Sequence, residues 1–149
     1  MSQYLRFELI NKVNPEIKVD LGYWCTSIAR GITYNFNNIF KYTDDDNGVE
    51  LNVDILKSYI EILHNGIEDY KKNLHEEQEK RKENIELLLK AQTVLVINAI
   101  KEEICANEVS IKDWEEDIDT WTSVERKLEF ILEILNENNN KWTLKYSNS

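Results

Sequence analysis

The sequence predicts an α+β fold that is mostly α. A small antiparallel sheet forms from an N-terminal hairpin and a C-terminal strand, with one helix packed on it. Three long helices form an antiparallel bundle or coiled-coil-like stalk. Three observations lead there. Apolar residues alternate at both chain ends, their spacing changes to three and four through the middle, and the 149 residues hold only four glycines and one proline to interrupt a helix. A chain of this length fits one domain, 1–149, with a sheet-and-helix head over 1–42 and 141–149 and a long-helix bundle over 51–137.

Leu5, Phe7 and Leu9 alternate with Arg6 and Glu8, and Ile17, Val19 and Leu21 alternate with Lys18 and Asp20. That is strand period, and Pro15 between the two runs suits the connection of a hairpin. Leu21, Cys25, Ile28, Ile32, Phe36 and Ile39 then step by three and four, which predicts a helix with one apolar face. "YTDDDNG" ends it. From Val53 the spacing Val53, Leu56, Ile60, Leu63, Ile67, Tyr70, Leu74 is a heptad pattern. No apolar residue follows from His75 to Asn84, and the spacing resumes from Ile85 to Ile104. A single helix over this stretch would be about 75 Å long, so the expectation is a helical hairpin that turns within the polar stretch. "ANEVSIKD" supplies a break, with Ser110 and Asp113 placed as a capping box for a third helix carrying Ile111, Trp114, Ile118, Trp121, Val124, Leu128, Ile131 and Leu135. Trp142, Leu144 and Tyr146 alternate once more. A strand this short needs a partner, and the N-terminal hairpin is the obvious one.

The net charge of −10 argues against a general nucleic-acid-binding surface, so direct nucleic acid is not an expected partner. The acid lies in the helical part, which carries −14, whereas the head carries +4 and ten of the fifteen aromatic residues. No run approaches the ~20 apolar residues that span a bilayer. The N-terminus lacks a basic stretch followed by an apolar one, so neither a signal peptide nor a membrane partner is expected. Cys25 and Cys105 each sit among apolar neighbours, which suits reduced core thiols in a cytoplasmic protein.

"CTSIAR" places four residues between Cys25 and Arg30, one fewer than a cysteine-dependent phosphate loop needs, and lacks its glycine-rich backbone. Cys25 reads as a core residue. The other side of the same helix holds Ser27, Arg30, Tyr34, Asn37 and Lys41. Arg30 can hold a phosphate or carboxylate through two bonds, and Tyr23, Trp24 or Tyr34 can stack on a base. "TDDDNGVELNVD" fails as a calcium loop. With Gly48 at the sixth position, Thr43 stands first and Asp54 twelfth, where Asp and Glu are required. His64 and His75 are eleven residues apart, out of reach of one metal. No metal and no cofactor is expected. "KDWEEDIDTW" is the densest acidic stretch. Trp114, Ile118 and Trp121 share one stripe there, beside Glu115, Glu116 and Asp119.

These observations predict a non-enzymatic interaction or self-associating module acting through amphipathic helices, its partner another protein or a second copy. Two other readings use other residues. Tyr23, Trp24, Ser27, Arg30, Tyr34 and Asn37 can bind a small anionic ligand such as a nucleotide. Trp114, Glu115, Glu116, Ile118, Asp119 and Trp121 can form an acidic surface that imitates nucleic acid and blocks an enzyme that binds it.

Overall fold

Strands β1 (Leu5–Asn11) and β2 (Lys18–Trp24) pair antiparallel in the computed structural model of the chain, which describes residues 5–24, 49–138 and 141–148. Their connection is held by asparagines. The Asn11 Oδ1 accepts from the backbone N–H of Val13 at 2.9 Å and of Asn14 at 3.0 Å. The Ile17 N–H donates to the Asn14 carbonyl at 3.0 Å. Pro15 thus occupies the second place of a four-residue turn, where its fixed φ is already suitable. Asp20 lies opposite Glu8 but Tyr23 lies opposite Arg6, so β2 carries one extra residue as a bulge.

Two further strands complete the sheet. β3 (Val49–Leu51) and β4 (Trp142–Asn148) give the order β2-β1-β4-β3, with every pair antiparallel. The chain ends therefore meet at the centre of the sheet. Phe7 lies opposite Tyr146, and Leu9 and Leu51 both lie opposite Leu144. All five are buried. On the alternate positions Lys145 lies opposite both Glu8 and Glu50, a favourable charge row across three strands.

Helix α1 (Val53–Lys90) starts on Asn52, whose Oδ1 accepts from the Ile55 N–H at 2.8 Å and whose carbonyl accepts from the Leu56 N–H at 3.0 Å. Helix α2 (Val94–Asn138) starts on Thr93, whose carbonyl accepts from the Ile97 N–H at 3.0 Å and whose Oγ1 accepts from the Val96 N–H at 3.3 Å.

The described residues fall into two compact units. The first joins Met1–His64 with Glu125–Ser149, and the second is Asn65–Val124. In the first unit the sheet's buried row is joined by Leu56 and Leu63 of α1 and by Leu128, Ile131 and Leu135 of α2, all at most 3% exposed. Each such side chain contributes about 1.5–3 kcal/mol by leaving water. Burial pushes the Tyr146 hydroxyl above its usual range, and Tyr59 of α1 pushes it further, so strand and helix side chains face each other there. His64 and Glu125 also meet across the two helices, at 3.1 Å.

The second unit is an antiparallel helical hairpin. Its shielded positions alternate by three and four: Ile67, Tyr70, Leu74, Glu77, Arg81, Asn84 and Leu88 on α1, and Ile97, Ile100, Ile104, Asn107, Ile111, Trp114, Ile118 and Trp121 on α2.

Several expectations are corrected. The described residues contain two long helices and a four-stranded sheet, in place of three long helices with a hairpin and one further strand. The hairpin turns at 91–93, not within His75–Asn84, because the polar residues Glu77, Arg81 and Asn84 find partners on α2 and the helix continues through them. "ANEVSIKD" is helical throughout, so Ser110 is no cap and no third helix begins there. Leu21–Trp24 belong to β2 rather than to a helix. Cys105 is exposed, not a core thiol, because it lies off the shielded stripe of α2. The helix expected beyond Trp24, with Cys25, lies outside the described residues.

Candidate interaction surface

The inner side of the hairpin is already occupied by its own side chains. The Tyr70 and Trp114 rings are 5.1 Å apart at a tilt of 58°, an arrangement that aromatic quadrupoles favour. Trp121 is 6% exposed and Ile118 is half-buried. The tryptophan stripe of α2 thus faces α1, while Glu115, Glu116 and Asp119 beside it are exposed. The sequence groups these six residues, and the structure separates them onto two sides of one helix.

A polar layer follows along the hairpin. The Asn84 Nδ2 donates to the Asn107 Oδ1, and the Asn107 Nδ2 donates to the Glu77 Oε1, both at 2.8 Å. Asn107 is 7% exposed, so these bonds replace the water it has lost. Arg81 reaches Glu108 at 3.1 Å across the same two helices. An asparagine buried at a shielded position fixes the register of paired helices, since a slipped pairing leaves its amide unsatisfied.

The turn itself is different. Leu87, Leu89, Val94, Leu95 and Val96 are 55%, 82%, 73%, 82% and 47% exposed. These are five large aliphatic side chains within ten residues, and Lys90 is the sole charge among them. Three-residue apolar runs cannot all face one side of a helix, because successive side chains turn by about 100°. "LLL" and "VLV" therefore place aliphatic groups outward, and this was the available signal for the surface in the sequence.

The acidic side of α2 has its own electrostatics. Partial burial pushes the Asp117 carboxyl above its ordinary value of 3.8, and Asp113 and Glu116 push it further. Burial, then Asp117, likewise raises the Tyr70 hydroxyl. A carboxyl raised in the folded chain holds its proton more tightly there, so its stabilising contribution is complete below the unfolded value and is lost as pH rises through the folded one. Asp117 is exposed, and solvent screens the effect. Asp117→Asn is expected to raise stability at pH 7 by about 0.3 kcal/mol, the scale of one like-charge helical pair. The gain vanishes near pH 3, and urea unfolding at the two pH values checks both.

Of the aromatic and basic candidates for a ligand face, Tyr23 and Trp24 lie in β2, opposite Arg6 and Leu5. Ser27, Arg30, Tyr34 and Asn37 lie outside the described residues. Among the described residues no group of three His, Cys, Asp or Glu side chains is placed to hold a metal ion, and no helix is long and apolar enough to cross a membrane. No protein-family model, curated protein or solved structure compared with the chain matches it.

Proposed function

We propose that this chain is a non-catalytic interaction module whose docking surface is the apolar turn of its helical hairpin. The observation that carries the reading is the exposure of Leu87, Leu89, Val94, Leu95 and Val96 around one turn. Covering a fully exposed leucine is worth about 1.5–3 kcal/mol, so a few of these side chains offset a good part of the cost of association. The tryptophan stripe serves the hairpin's own packing, and Asn84 bonded to Asn107 ties the two helices together nearer the turn.

A photocrosslinking amino acid in place of Gln92, an exposed position within the turn, tests the reading in cells that make the full chain. Protein adducts are expected at Gln92, and none from the same probe at Glu115 on the exposed acidic side. Adducts at Glu115 alone would move the docking surface to the acidic side, and adducts at neither would remove both.

A further inference from the structure

The interaction reading leaves the occupant of the turn open, and resting on that reading we propose that it is a second copy of the chain, docked turn to turn about a twofold axis. Area is the first argument. The five exposed side chains present on the order of 600 Å² per copy on more than one side of the turn, so a contact covers part of this area, and a twofold axis doubles whatever part is covered. An exposed apolar area of this order stands at the upper end of the largest patches on monomeric proteins, and such patches are often functional.

Charge is the second argument. The acidic faces of the helical part, which carries −14, repel the same faces of a second copy. Between residues 80 and 103, however, five basic residues stand against four acidic ones, so this end of the hairpin is close to neutral. The acidic run that begins at Asp113 lies about 25 Å further along α2 from Val96 at 1.5 Å per residue. That is several screening lengths at physiological salt. Contact through the turn therefore meets little repulsion between two copies.

Composition is the third. The segment 80–103 has no aromatic residue. Interface hot spots are enriched in Trp, Tyr and Arg, and the exposed apolar residues of the turn include no aromatic one. An aliphatic patch resembles the more apolar interfaces of homodimers. In a twofold contact each residue meets its own counterpart or a reciprocal neighbour, so Leu89 and Leu95, both 82% exposed, lie where a single change acts twice.

Sedimentation equilibrium of the full chain, from micromolar to submillimolar, tests this. The expected result is a reversible dimer whose dissociation constant rises at least tenfold in Leu89→Glu/Leu95→Glu, with unchanged helical circular dichroism. Both positions are exposed, so the fold should tolerate the change. Mixing this variant with Leu89→Lys/Leu95→Lys should restore a one-to-one dimer, because a twofold axis sets the glutamates of one copy near the lysines of the other. A monomer throughout the range overturns the proposal, as does a dimer indifferent to the turn variants or a mixture that fails to recover. Flotation of the wild type with neutral phosphatidylcholine vesicles, lost in the glutamate variant, would overturn it in favour of a lipid surface. A monomer that still gives Gln92 adducts with another protein refutes self-association and leaves the interaction reading intact.

Discussion

Replacing Trp121 by alanine is expected to lower the unfolding free energy by about 3–5 kcal/mol, the usual cost of truncating a buried tryptophan. Trp121 is 6% exposed on the side of α2 that faces α1. Such a loss is a large share of the 5–15 kcal/mol that holds a typical domain. Guanidinium unfolding followed by far-ultraviolet circular dichroism measures it without relying on tryptophan emission. Trp121→Phe should recover a good part of the loss, because most of the apolar volume returns. Alanine at Glu115, Glu116 or Asp119 should shift stability by no more than about 0.5 kcal/mol, as exposed changes do. If Trp121→Ala leaves the midpoint unmoved, the tryptophan stripe is not part of the hairpin seam and becomes available as a partner surface.

Phe7→Ala is the second large effect, also about 3–5 kcal/mol. Phe7 is fully buried in β1, one of the two central strands, and lies opposite Tyr146 of β4, the other. Its removal leaves a cavity bordered by strands from both chain ends, which local rearrangement cannot readily fill. Amide hydrogen exchange should report the loss in place. Protection is expected to fall in β1 and β4 before it falls in the hairpin at Tyr70 and Trp114, since cooperative opening follows compact units. Equal loss of protection everywhere would mean that the two units open together.

The strands at the chain ends were legible because Leu5, Phe7 and Leu9, and Trp142, Leu144 and Tyr146, alternate. Side chains that alternate across a strand place one set in the core. The three-residue strand Val49–Leu51 was not legible, since it is too short to show a period and exists by pairing with β4. The helical spacing from Val53 was also plain, but the position of the turn was not. His75–Asn84 lacks apolar residues, and a rule that equates shielding with hydrophobicity reads a break there. Glu77 and Asn84 nevertheless hold shielded positions, because Asn107 bonds to both from the other helix, and Arg81 reaches Glu108 at the seam's edge. The same misplacement hid the apolar turn. With the hairpin expected to reverse within 75–84, Leu89, Leu95 and Val96 fell inside a seam, whereas the chain reverses at 91–93, Thr93 caps a new helix and all three are exposed.

Period, charge and composition are properties of neighbours along the chain, and they were sufficient to mark which segments prefer to be strand or helix and where the acid collects. Which polar residues can be shielded, where two helices reverse, and whether a tryptophan faces its own chain or the solvent depend on atoms contributed from far away in the sequence. Asn107 shows the reason. Its burial is unfavourable taken alone and becomes acceptable once Asn84 and Glu77 supply the hydrogen bonds that water no longer can, and those partners exist only after the two helices have come together.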